Sequence, residues 1–86
     1  MGLTTQKPVV SEGLTRGEEF IVKWQYRMSG GFFAALATAI SLADTENRER
    51  LSQGFPHEVE GYRHYIGTPG WWDATEDKAR KAGWHI

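Results

Sequence analysis

The sequence predicts a mostly α-helical single domain, a bundle of four to five short helices around a central apolar helix, with a short N-terminal strand as the alternative element. Three observations predict it. Residues 30–43, GGFFAALATAISLA, carry no charge, and at helical spacing Phe32, Phe33, Leu36, Ile40 and Ala43 form one stripe, widened by Ala35, Ala39 and Leu42. The segments around this stretch begin with helix-capping residues and stop at glycines. No repeat, low-complexity tract or linker divides the 86 residues. Residues 1–13, with Pro8-Val9-Val10 as their apolar piece, read as an extended or flexible arm; residues 14–86 read as one helical domain.

The first helix is signalled by Thr15 followed by Glu18, the spacing of a capping box, with Glu19 adding negative charge to the first turn. Residues 20–28 also alternate in the manner of a strand. A helix is favoured, because a strand there would have only Val9-Val10 as a mate; Phe20, Ile21, Trp24 and Met28 then share one face. Ser29 is the expected N-cap of the apolar helix, residues 31–43, and Gly30-Gly31 are expected to serve a steric role. Asp44-Thr45 end that helix and open a polar one to about Gln53, with Leu51 facing inward and Arg48, Glu49 and Arg50 on a solvated face. Gly54 stops it.

Pro56 suits the first position of the next helix, and Val59, Tyr62, Tyr65 and Ile66 form its inward face. Gly67-Thr68-Pro69-Gly70 is a turn cluster. Asp73 with Glu76 forms a second capping pattern, Lys78, Arg80 and Lys81 complement the far end of the dipole, and Gly83 closes the helix. The apolar helix is expected to be covered by residues 20–24, Val59, Tyr62 and one of Trp71 and Trp72. A second copy of the chain is expected to cover the remainder, making a homo-oligomer.

Ten basic and eleven acidic residues give a net charge of -1, which disfavours nucleic acid as a partner. The absence of cysteine removes disulfides and thiolate metal sites, and fits a cytoplasmic location. No secretory leader is visible at the N-terminus. The longest apolar stretch is about 14 residues, short of the ~20 that span a bilayer, so no membrane role is expected.

His57, Glu60 and His64 share a helical face, but their order differs from the zincin pattern and the two imidazoles lie two turns apart. Glu60–His64 pairing on a solvated face accounts for them, and no metal or other cofactor is expected. The close carboxylates do not read as an acid–base pair either: Glu58 and Glu60 diverge on a helix, and Asp73 and Glu76 are capping residues. No nucleophile triad or phosphate loop is evident, so the chain is expected to be non-enzymatic. Eleven aromatic residues are the unusual feature. Arg63, Tyr65, Trp71 and Trp72 are the candidate binding residues, because rings beside a guanidinium grip either a protein hot spot or a nucleotide base.

One signature crosses half the chain: Phe32 or Phe33, Leu36, Ala39-Ile40, Ala43-Asp44, Asn47, Leu51, Gly54-Phe55-Pro56 and Trp71-Trp72. It resembles a family of small proteins of unknown function encoded by bacteriophages and prophages. The resemblance carries over no catalytic residue. It implies a host-interaction or counter-defence protein in the cytoplasm of an infected bacterium. Such a protein would act by covering a host protein or, alternatively, as a homo-oligomeric sponge for a cyclic-nucleotide signal. A nucleic-acid-binding regulator is the third expectation, opposed by the charge balance.

Overall fold

The computed structural model describes residues 13–86, which form five α-helices in the order α1 (Arg16–Gln25), α2 (Gly31–Leu42), α3 (Thr45–Gly54), α4 (Pro56–Gly67) and α5 (Trp71–Lys81). No strand occurs among the described residues, and the expected N-terminal arm and Val9-Val10 lie outside them. The ambiguous segment 20–28 is helical to Gln25 and then turns. The capping box decides this locally. The Thr15 hydroxyl accepts from the Glu18 N–H at 3.1 Å, and the Glu18 carboxylate accepts from the Thr15 N–H at 2.9 Å.

The helix that packs against all four others is α4. Its partner in the tightest crossing is α1, and glycine makes that crossing possible. A Cβ added at Gly61 would lie 2.7 Å from the Gly17 carbonyl oxygen, and one at Gly17 would lie 2.7 Å from the His57 carbonyl oxygen. Only backbones without side chains approach this closely. The core beside the crossing holds Phe20, Ile21, Leu36, Ala37, Ile40, Val59 and Tyr62, and a second cluster of Leu14, Val22 and Ala79 joins α1 to α5.

The structure therefore corrects the expectation of a central apolar helix. α2 lies at the edge of the bundle. It buries Leu36, Ala37 and Ile40 against α1 and α4, and its opposite side faces solvent. Phe32 and Phe33, expected inside, are 61% and 44% exposed. Three other local expectations change. The N-cap of α2 is Gly30, without a side-chain cap bond, and not Ser29. A Cβ at Gly30 or Gly31 would meet nothing within 4 Å, so this pair has no steric role. Helix α5 starts at Trp71 behind a left-handed Gly70, which leaves Asp73 in the first turn and not at the cap.

Arg48 also leaves the solvated face assigned to it. Its guanidinium donates to the carbonyls of Ile40 (3.1 Å) and Ala43 (2.7 Å) and lies 5.2 Å from the centroid of Tyr62. It thus satisfies orphan carbonyls at the end of α2, where α2 has no basic residue of its own, and fixes α2 on the α3–α4 pair. Asp44 caps α3 by accepting from the Asn47 N–H at 2.8 Å.

Candidate functional site

Of the five large hydrophobic side chains exposed among the described residues, four, Met28, Phe32, Phe33 and Leu42, lie on α2 or in the turn before it. Phe32 (61% exposed), Ala35, Ala39 and Leu42 (80% exposed) follow one another along the outer side of α2, and Met28, in the turn before α2, continues the row. No charged side chain occurs from residue 28 to residue 43. Helical geometry explains the placement: Leu36, Ala37 and Ile40 point into the bundle, so Ala35 and Leu42 on the other side of the helix point out, while Phe32, one turn before Leu36, and Ala39, one turn after it, lie at the margin. The Phe32 ring is held by neighbours and is not loose. Its centroid is 5.1 Å from Phe33, edge-on, and 5.9 Å from Phe55, while Phe33 meets Phe20 at 6.3 Å.

A depression flanks each end of this face. Near the C-terminal end, Ala39, Leu42, Ala43, Asn47, Arg50 and Leu51 line an open notch of about 410 Å³ between α2 and α3. Near the N-terminal end, a cleft of about 360 Å³ is floored by Phe20, Met28 and Phe33 and includes Ser29, Lys23 and Glu58. Glu58 is 8% exposed and makes no ion pair among the described residues, whereas Lys23 is held by Glu19 at 3.0 Å. The face and its flanks can bury apolar side chains; each large one fully buried contributes about 1.5–3 kcal/mol.

The four candidate binding residues do not converge on one cavity. Arg63 is exposed on α4 and pairs with Glu49 of α3 at 3.0 Å. Tyr65 is half-buried, edge-on to Trp72 at 5.5 Å and to Trp24 at 6.0 Å. Trp72 also contacts Tyr26 at 6.3 Å, so it closes the junction of α1, α4 and α5. Trp71 faces elsewhere and stacks on His64 at 5.9 Å with an interplanar angle of 12°. Both indoles are half-buried, instead of one inside and one free as expected. Both pack against the core cluster to which α2 contributes Leu36, Ala37 and Ile40.

His57, Glu60 and His64 do share a face, along a cleft of about 300 Å³ between the start of α1 and α4. His64 is engaged by Glu60 at 3.5 Å and by the Thr68 hydroxyl at 2.9 Å. Among the described residues no three His, Cys, Asp or Glu side chains are placed to hold a metal ion. Glu18 borders this cleft and bonds Lys78 at 2.8 Å. Burial by itself raises the Glu18 carboxyl, but the Lys78 ammonium and the Thr15 hydrogen bonds outweigh it and hold the group below its ordinary value. Tyr26 is shifted upward by its hydrogen bond to the Glu76 carboxylate. Both shifts belong to contacts that tie α1 to α5, and neither marks a reacting group.

Phe32 is thus the residue of this face that the sequence reading put inside the bundle. The apolar stripe of residues 31–43 is wider than its neighbouring helices cover, and Ala35, Ala39 and Leu42 belong to the surplus expected to meet a second copy of the chain. No helix among the described residues is long and apolar enough to cross a membrane. No family model matches the chain, and no curated protein or solved structure matches it either.

Proposed function

We propose that this chain is a small non-enzymatic binding protein, encoded by a bacteriophage, that covers a surface of a host protein in the bacterial cytoplasm. The observation that carries the proposal is the uncharged outer side of α2, where Phe32 and Leu42 stand exposed, flanked by two depressions that mix apolar and charged side chains. Exposed contiguous apolar surface rimmed by polar residues is characteristic of protein docking sites. The bacteriophage origin rests on the resemblance of the signature from Phe32 to Pro56, with Trp71-Trp72. The absence of a catalytic constellation in the sequence supports a role in binding.

The docking residues in this proposal are Phe32, Phe33 and Leu42. Tyr65 and Trp72 stabilise the bundle behind them, and Arg63 is held by Glu49. A cyclic-nucleotide sponge draws less support from this arrangement, because Tyr65 and Trp72 share a depression that neither Trp71 nor Arg63 lines, and Arg63 is paired with Glu49.

The test is capture of a host protein by the wild-type chain and by Leu42→Glu and Lys81→Glu variants, combined with infection assays in cells expressing each. A partner retained by wild type and Lys81→Glu but released by Leu42→Glu, with defence blunted in the same order, supports the proposal. If no partner is retained and no defence is blunted, the proposal fails.

A further inference from the structure

On α2 the exposed residues Phe32, Ala35, Ala39 and Leu42 are spaced three, four and three apart. This is the spacing of a coiled-coil seam, in which one line of side chains stays turned toward a partner helix. Ala35, Ala39 and Leu42 are exposed beside the bundle's own contacts through Leu36, Ala37 and Ile40, and Phe32 is 61% exposed at the margin, where one side of its ring meets Phe33 and Phe55.

The order of large and small residues within the seam is symmetric. When the helix is laid antiparallel on a copy of itself about its midpoint, Phe32 falls opposite Leu42, Ala35 opposite Ala39, and the two layers repeat in reverse. The central alanines let the helix axes approach closely, within the ~8–10 Å range of packed helices. The outer layers are filled by one Phe and one Leu each. The notch beside Leu42, lined by Ala39, Ala43 and Leu51, receives the protruding ring of the other copy's Phe32. α2 itself brings no charge to the contact, because residues 28–43 carry none; Arg50 of α3 lines the notch and is paired with Glu46 at 2.8 Å. The termini agree as well. α2 has no side-chain N-cap, no acidic residue in its first turn and no basic residue in its last. An antiparallel neighbour sets the positive end of one dipole beside the negative end of the other.

We propose that the docking face is covered, when its protein partner is absent, by a second copy of this chain packed antiparallel on α2. The inference rests on the docking role assigned to that face and supplies its regulation: self-pairing and partner binding exclude each other. A helix of 12 residues is about 18 Å long, so a contact confined to α2 is smaller than a standard stable interface. The dimer is accordingly reversible, and a partner that buries more displaces it.

Sedimentation equilibrium of the full chain, from low micromolar to one millimolar, is expected to show monomer passing to dimer. Leu42→Glu and Phe32→Glu are each expected to weaken the dimer by on the order of a hundredfold, with helicity retained because both sites are exposed. Orientation is read by cysteine pairing, since the natural chain has none. Phe32→Cys chains mixed with Leu42→Cys chains are expected to form the mixed disulfide. Either chain alone forms far less, because its two cysteines lie about 15 Å apart along the antiparallel pair, beyond the ~7 Å limit for bridging. A monomeric mass at one millimolar, a dimer unaffected by both glutamate variants, or preferential like-with-like disulfides would each overturn the proposal. A monomeric chain that still loses a captured host protein with Leu42→Glu would sink self-pairing and leave the docking role standing. A dimer with the expected disulfide and no host partner would do the reverse.

Discussion

Two helix surfaces in this molecule are lined by small residues, and they have opposite fates. At the α1–α4 crossing, Gly17 and Gly61 face each other so closely that a single Cβ on either would strike backbone at 2.7 Å. On α2, Ala35 and Ala39 face solvent, with exposed Phe32 and Leu42 at either end. The difference teaches that small residues permit close approach without supplying attraction. What drives an approach is the large apolar surface beside them. At the crossing that surface is Phe20, Ile21, Val59 and Tyr62, all within the same chain. On α2 the corresponding large residues point outward, and their complement must come from another molecule.

The largest expected effect breaks the first half of this comparison. Gly61→Ala improves helix propensity, but its Cβ has only backbone to meet, and backbone cannot move aside as a side chain does. Overpacking of this kind costs about 1–3 kcal/mol or more. Urea denaturation is expected to show that loss for Gly61→Ala and none for Gly31→Ala, where a Cβ meets open space. Equal effects at the two glycines would remove the distinction.

A second, smaller effect concerns how α1 is held from its other side. The Glu18 carboxyl titrates below its unfolded value of 4.5 because Lys78 and Thr15 favour its ionised form over the opposing effect of burial. A depressed folded-state value contributes stability above the unfolded value, and that stability is lost as pH falls through the folded one. Thermal unfolding followed from pH 6 downward is therefore expected to show an acid-side loss beginning near 4.5. Lys78→Met is expected to shrink that loss while leaving the Thr15 cap in place. An unchanged acid limb in the variant would show that the Lys78–Glu18 pair contributes nothing to α1.

The smallest expected effect sharpens the second half. Leu42 is 80% exposed, so Leu42→Gln is expected to change monomer stability by no more than about 0.5 kcal/mol, measured by denaturation at low protein concentration. A large loss would mean that the outer side of α2 is packed within one chain after all.

Elements bounded by local chemistry were legible in the sequence. The capping box of Thr15 and Glu18, Asp44 before α3, Gly54-Phe55-Pro56 between α3 and α4, and the turn from Gly67 to Gly70 all lie where propensity and capping place them. These features depend on residues a few positions apart, whose hydrogen bonds form or fail without reference to the rest of the fold. Tyr62, Val59 and Leu36 were legible as core because helical spacing puts them on the apolar side, whereas Ile66, placed on the inward face of α4 by the same spacing, is 58% exposed at the end of that helix.

The candidate site was less legible. Phe32 and Leu42 have the composition of core residues, and hydrophobicity does not record which of two apolar faces finds cover. Arg48 shows the same limit in a polar residue. It reads as a solvated charge, yet the return of the chain through α3 aims it at the carbonyls of Ile40 and Ala43. Arg63 and Glu49 are fourteen residues apart and pair only because α3 packs against α4.

By itself, then, the order of residues determined where α1, α3 and α4 start, roughly where the helices stop and which residues are apolar, because capping and periodicity act within one or two turns. Only the tertiary structure decided that α4 and not α2 is the hub, and that Gly17 and Gly61 are the glycines that matter. It alone turned half of the most apolar helix outward. Those outcomes depend on which helices cross and how closely, a property of surfaces distant in sequence that no local rule encodes.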